Sequence, residues 1–234
     1  MDDGARGAAT FPGAVLGVAR SVCGRRWRMR GGDDQVGQAI AERLALPEIV
    51  GRLLAQRAID VDLAPGFLAP RLRDQLPDPS HLRDMEAAAA RLVRAVRDGE
   101  TIAVFGDYDV DGATSAALLA RFFAATGTPT RIYVPDRLCE GYGPNTPALL
   151  GLRDEGVRLV VTVDCGTNAH LPLAEAAEAG LEVIVVDHHV AEPLLPRATA
   201  IVNPNRLDET SPHGSLAAVG VAFLLVVAVN RALR

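Results

Sequence analysis

In Gly106-Asp107-Tyr108-Asp109-Val110-Asp111-Gly112 a carboxylate recurs at every second position, so in an extended segment Asp107, Asp109 and Asp111 would all point to one side. Converging anions raise one another's pKa, and such a site either takes up protons or binds a cation. A divalent metal meets that requirement most simply. The competing reading is a solvated helix start in which Asp111 and Thr114 cap the following helix. An EF-hand calcium loop fits poorly, because the glycine comes too early and no Glu falls at position 12 of such a loop. Asp164-Cys165-Gly166 adds a further carboxylate, with Gly166 allowing a tight turn. Asp187-His188-His189 adds imidazole, and mixed carboxylate and imidazole ligation favours Mn²⁺ or a comparable transition metal over Ca²⁺.

The elements around these residues explain why they belong together. Short β-branched apolar runs alternate with helical spacing: strands over 101–105, 130–134, 158–163, 182–186 and 198–202, and helices over 113–126, 146–155, 171–179 and 216–233. That alternation predicts an α/β fold, a mostly parallel sheet flanked by helices. Asp107, Asp164, Asp187 and their neighbours each follow a strand, where ligands bind in open α/β sheets, so one shared site is expected. The loop 136–145 follows the second strand on the same rim. In it Arg137 can pair with phosphate and Tyr142 can stack on a base, and Asn145 is grouped with them as substrate-binding. A plain turn with one exposed Arg is the alternative. His170 and His213 read as incidental.

Three segments are expected. Residues 1–37 read as an arm with a basic stretch, Arg20, Arg25, Arg26, Arg28 and Arg30, around Trp27; it either packs on the domain or touches a nucleic-acid backbone. Residues 38–99 form a helical lead-in: one or two short helices broken at Pro47, an extended Pro-rich connector over 61–79, and an amphipathic helix over 81–98 ended by Gly99. Residues 100–234 carry the catalytic fold.

All 24 basic residues are Arg. Without Lys there is no Walker P-loop and no protein-kinase site. The net charge of −5 does not advertise nucleic-acid binding, so the distribution of charge matters more than its sum. Three scattered cysteines, Cys23, Cys139 and Cys165, suit a reducing compartment. No apolar run reaches the roughly 18 to 20 residues of a membrane span, and the start, with Asp2 and Asp3, does not resemble a secretory signal. A cytoplasmic protein with no membrane association is expected.

Taken together and in order, GDYDVDGATS at 106–115, VTVDCG at 161–166 and VVDHH at 185–189 resemble the first three motifs of the DHH phosphoesterases. Asp107 in place of a leading His makes the first motif similar to the RecJ-type exonucleases of that family, as do LPEIVGRLLAQR, LPDPSHLRDM and VPDRLCEGYGPN. The resemblance implies two metal ions, Mn²⁺ or Mg²⁺. Asp107, Asp109 and Asp164 would hold one, and Asp111, Asp164 and His188 the other, with His189 facing the phosphate. It implies 5′ to 3′ hydrolysis of single-stranded DNA in repair and recombination, alongside single-strand-binding protein and repair helicases. Two other readings stand beside it: a phosphatase for short oligonucleotides or small phosphate esters, and a non-catalytic DHH-like replication module. The resemblance also places a fourth motif and strand-gripping domains beyond Arg234, so the catalytic domain is expected to be incomplete at its C-terminus and the last helix to expose an apolar face.

Overall fold

The computed structural model describes residues 14–28 and 31–234. Arg30 of the basic stretch and Asp2 and Asp3 lie outside the described residues. The chain divides into two compact units, 1–76 and 77–234.

In the first unit, Asp33 caps helix α1 (Asp34–Leu44), its Oδ1 accepting from the amides of Gln35 and Val36 at 2.9 and 3.2 Å. Pro47 opens α2 (Glu48–Ala55), so the break expected at this proline yields two helices. Gly37 and Gly51 mark a close helix crossing: a Cβ on Gly51 would lie 2.1 Å from the Gly37 carbonyl. Ile40, Leu54 and Ala64 form a small core. The Pro-rich stretch is not an extended connector. It holds α3 (Ala64–Leu68), with Pro65 in its first turn where a missing amide costs nothing, and α4 (Leu72–Gln75).

The second unit begins before the sheet. Helix α5 (Met85–Asp98), ended by Gly99 at φ +66, packs on the last helix and the last strand. It therefore belongs with the second unit, 77–234. The chain then runs β1 (Ile102–Gly106), α6 (Val110–Ala125), β2 (Thr130–Tyr133), α7 (Thr146–Asp154), β3 (Leu159–Val163), α8 (His170–Glu178), β4 (Glu182–Val186), β5 (Ala200–Val202) and α9 (Ala218–Leu233).

All five strands are parallel, in the order β2-β1-β3-β4-β5. Strands β1 and β3 are buried along their whole length, as expected for a sheet covered on both faces. Ala103, Phe105, Val160 and Val185 pack on one side with Leu149 and Leu152 of α7 and Leu173 of α8. Helices α5 and α6 each pack on α9, and all three pack against strands. The apolar face expected to stand exposed on α9 is covered within the unit: Val221, Leu224, Leu225 and Val229 are buried. No helix among the described residues is long and apolar enough to cross a membrane.

Register sets the site. Gly106 pairs with Val163, Val163 with Val186, and Val186 with Val202. The next residue on each strand, Asp107, Asp164, Asp187 and Asn203, therefore forms a row along the carboxyl edge, and all four are buried.

Candidate metal centre

Helix α6 begins earlier than its periodicity suggests, and this changes how the first three carboxylates converge. Asp109 is the N-cap, its Oδ1 accepting from the amides of Asp111 and Gly112 at 2.9 and 3.0 Å. The segment is thus not extended. Asp107 ends the strand, Asp109 caps the helix, and Asp111 lies in its first turn. The cap is Asp109, not Asp111, and the Thr114 hydroxyl donates back to the Val110 carbonyl at 2.6 Å. Gly112 makes the tight turn possible, since a Cβ there would lie 2.3 Å from the Asp107 carbonyl oxygen.

Asp164 sits at φ +62, a left-handed conformation that a non-glycine residue seldom adopts and that recurs at functional sites. Its amide remains bonded to the Val186 carbonyl at 3.0 Å, while the turn continues through Gly166 at φ +109. Ligand-type atoms of Asp107, Asp109 and Asp164 lie within 4.8 Å of one another, as do those of Asp164, His188 and His189. Asp164 belongs to both groups. Asp111 joins neither so closely, but its Oδ2 is 4.0 Å from His188 Nε2.

The chemistry of this cluster calls for a cation. Asp107 Oδ1 and Asp164 Oδ1 are buried and accept no hydrogen bond. Burial, then the neighbouring Asp109 carboxylate, pushes the Asp164 carboxyl up to about 7. Burial also raises Asp107, whereas the Gly112 amide holds Asp109 below the usual carboxylate range. His188 Nδ1 lies 3.1 Å from the Leu216 carbonyl, which can only accept, so that nitrogen carries the proton. Its Nε2 lone pair then faces Asp164 Oδ1 at 3.2 Å, acceptor against acceptor, unless a proton or metal lies between them. The donor set fits divalent metal, with an outer hydrogen bond fixing the imidazole as metal-binding histidines require.

Asp187 is expected on the shared rim but has no expected role as ligand or substrate contact; it organises the imidazole side. Its Oδ1 accepts from the His188 amide at 2.7 Å, the His189 amide at 3.2 Å and His189 Nδ1 at 2.8 Å, while Oδ2 accepts from the Thr167 amide at 3.1 Å. Burial alone would raise Asp187, but the bonds from His189 and Thr167 outweigh it and hold the carboxyl at about 2. The same contact raises His189. Asn203 donates to Thr167 Oγ1 at 2.8 Å and to the His189 carbonyl at 2.9 Å, and Asn205 donates to the His188 carbonyl. Neither asparagine was marked by a motif; the only available signal was the polar break after an apolar strand.

The loop residues divide. The Tyr142 hydroxyl donates to the Asp164 carbonyl at 2.8 Å and lies 3.5 Å from His189 Nδ1, so Tyr142 borders the cluster. Arg137 holds its guanidinium 4.8 Å over the Tyr108 ring, next in sequence to Asp107. Asn145 is occupied elsewhere. It caps α7 through the Ala148 amide at 2.9 Å and donates to Glu140 at 3.1 Å, lining a separate hollow with Tyr133. Its hydrogen-bond partners are Ala148 and Glu140, not Asp107, Asp109, Asp111 or Asp164. His170 stands 3.3 Å from Glu192, and His213 stacks on His81.

Known proteins resemble this chain in sequence and fold. The chain is 37% identical over 205 residues to the single-stranded-DNA-specific exonuclease RecJ of Bacillus subtilis, a match covering 87% of this chain and 26% of that protein. It is 39% identical over 190 residues to the RecJ of Escherichia coli, covering 81% and 32% respectively. The chain thus spans about a quarter to a third of the length of these relatives. Among solved structures, RecJ of Thermus thermophilus in complex with Mn²⁺ matches with a TM-score of 0.66 at 31% identity, over 85% of this chain and 27% of that one. An exonuclease RecJ bound to manganese matches with a TM-score of 0.59 at 39% identity, over 65% and 38%. The profile of the DHH family, N-terminal domain, matches residues 101–233, and the chain belongs to the DHH family.

Proposed function

We propose that this chain is the catalytic part of a metal-dependent exonuclease that hydrolyses single-stranded DNA from its 5′ end, releasing mononucleotides. The observation that carries this reading is the double membership of Asp164, the one carboxylate common to both groups of ligand-type atoms. In it, Asp107, Asp109 and Asp164 hold one cation and Asp111, Asp164 and His188 the other. When bound, two such ions, Mn²⁺ or Mg²⁺, would activate a water and neutralise charge on the phosphoryl and leaving oxygens.

The chain's own residues orient the substrate. Asp187 anchors His189 Nδ1, which keeps the ring positively charged over a wider pH range and suits it to a phosphoryl oxygen. Tyr142 fixes the Asp164 turn through its carbonyl. Arg137, held over Tyr108 at the rim, provides a phosphate contact. Kinship with the exonucleases RecJ, and the Mn²⁺ in two of their structures, support this substrate and metal. Cytoplasmic residence and contacts with single-strand-binding protein and repair helicases accompany the proposal.

The test is a nuclease assay on 5′- and 3′-labelled single strands, using this chain and a version extended to the length of its relatives. Mn²⁺-dependent release of mononucleotides from the 5′ end, absent with chelator and on blunt duplex, is expected of the extended version. Cleavage only of dinucleotides and small esters would instead favour the short-substrate phosphatase.

A further inference from the structure

The first described segment, residues 14–28, folds back on itself. The Val15 amide donates to the Trp27 carbonyl at 3.0 Å, and Ala14 bridges Arg28 in the antiparallel sense. The tip is a closed turn. In it the amides of Ser21 and Gly24 donate to the carbonyls of Arg25 and Ser21, both at 2.8 Å, with Gly24 at φ +69, and the Ser21 hydroxyl accepts from the Arg25 amide at 3.3 Å. These bonds tie the backbone and leave the side chains outside: every residue from Val22 to Arg28 is exposed, Trp27 by 64%.

Arg20, Arg25, Arg26 and Arg28 are exposed, and among the described residues none of them has a carboxylate partner. Arg43, Arg91 and Arg206, by contrast, each stand within 2.7 Å of one. From Gly4 to Gly32 the sequence holds no Asp or Glu, so this stretch is locally positive in a chain of net charge −5. Screening over ~8 Å at physiological salt lets the local sign prevail over the net one. An uncompensated cationic patch calls for an anion, and the side chains narrow which. The planar fork of Arg pairs bidentately with phosphate. Trp27, between Arg26 and Arg28, sets a flat apolar face beside those charges, a combination suited to phosphates alternating with unpaired bases. Exposed Leu16 and Val22 make an anionic membrane the rival occupant. They sit in two separate turns, whereas a segment lying on a bilayer presents one apolar helix face.

We propose that residues 14–28 form a binding site for single-stranded nucleic acid apart from the metal centre, in which Arg20, Arg25, Arg26 and Arg28 pair with phosphates and Trp27 stacks on a base. Binding here needs no metal. It adds a second contact for the strand to the nuclease reading, yet it stands on the chemistry of this segment alone. Duplex DNA, whose bases are already stacked and paired, offers Trp27 nothing and binds by charge only.

Trp27 is the only tryptophan of the chain, so its fluorescence reports on this segment. In chelator, a thymidine oligonucleotide of about a dozen residues should quench it, while an abasic strand of the same length should not. Log affinity should fall with log salt at a slope of about −3, from ~0.7 per phosphate contact of a single strand over the four arginines. The combined variant Arg25→Gln, Arg26→Gln, Arg28→Gln should cut the slope to about −1 and the affinity by at least ~10-fold. Anisotropy of a labelled strand should show Trp27→Leu weakening binding by ~10-fold at unchanged slope, with Trp27→Phe recovering most of it. These side chains are exposed, so the variants should keep the fold, which circular dichroism checks. No quenching, equal quenching by the abasic strand, affinity indifferent to the arginines, or stronger quenching by phosphatidylserine vesicles overturns the inference. Mn²⁺-dependent cleavage by the extended version without quenching removes this inference alone. Quenching without cleavage removes the nuclease reading alone.

Discussion

His188 Nδ1 lies 3.1 Å from the carbonyl oxygen of Leu216, 28 residues further along, in the turn that enters α9. This bond fixes the tautomer and aims the Nε2 lone pair at Asp164. Asn205 closes the same turn, its amide donating to the carbonyls of His188 and Gly214. The imidazole is therefore held from behind by a part of the chain that carries no motif.

Asn205→Ala should loosen that support without removing a ligand. Loss of a ring's own outer hydrogen bond lowers metal affinity by ~10-fold or more; Asn205 acts one step further out, on the His188 and Gly214 carbonyls, so a smaller loss of a few-fold is expected. Calorimetric titration with Mn²⁺ measures it, and unchanged affinity would show that the Leu216 turn does not position His188.

A second prediction concerns the metal-free chain. Asp164 is raised to about 7, so between its unfolded value and about pH 7 the folded state binds more protons than the unfolded one, and stability falls as pH rises. His189 is also raised, and its contribution is likewise lost as pH rises through its folded value. Both act in one direction. From about pH 5 to about pH 8 the chain in chelator should lose on the order of 1 to 3 kcal/mol. Asp164→Asn should flatten this slope, because Asn keeps the φ +62 backbone and has no proton to lose. Urea melts across the range are the measurement, and increasing stability of the unmutated chain with pH would contradict it.

What was legible in the sequence was the periodic part. Strand β1 is expected over 101–105 and found at Ile102–Gly106, and the carboxylates follow the strands as read. The start of α6 was not legible, because Asp109 serves as both cap and candidate ligand while the periodicity of apolar residues sets in only later. Asn145 looked available because it sits in a Gly-rich loop, and only its distances to Ala148 and Glu140 reveal a cap. The roles of Asn203, Asn205 and the Leu216 carbonyl depend on parallel register and on turns closing across 14 to 36 residues, which local pattern does not encode.

Two glycines give a paired test of the site's backbone. Gly112→Ala places a Cβ 2.3 Å from the Asp107 carbonyl, where only backbone could yield, and should cost ~3 kcal/mol or more and disturb the metal cluster. Gly151→Ala, inside α7 with nothing within 4 Å, should stabilise by ~0.5 to 1 kcal/mol. Urea denaturation of both variants, with Mn²⁺ binding of the first, checks the pair; equal stabilities would refute the close approach at Gly112.

The last prediction separates holding metal from holding phosphate, in a version of the chain long enough to turn over. Asp164→Ala removes the carboxylate common to both ligand groups and should abolish Mn²⁺ binding and turnover together. His189→Ala should cut turnover by ~100-fold while leaving most metal affinity, since the ring is assigned to a phosphoryl oxygen. Asp187→Ala should resemble His189→Ala in turnover, because the freed imidazole loses its orientation and raised pKa. It should also destabilise the fold by ~2 kcal/mol, because the Thr167 amide and the His188 and His189 amides lose their acceptor. Asp187→Asn keeps an acceptor for those amides but not the charge beside His189, so it should recover most of the stability and little of the rate. Calorimetry, urea melts and single-turnover rates on the three alanine variants and Asp187→Asn give the comparison. If His189→Ala loses metal as completely as Asp164→Ala, His189 is a ligand rather than a phosphate contact.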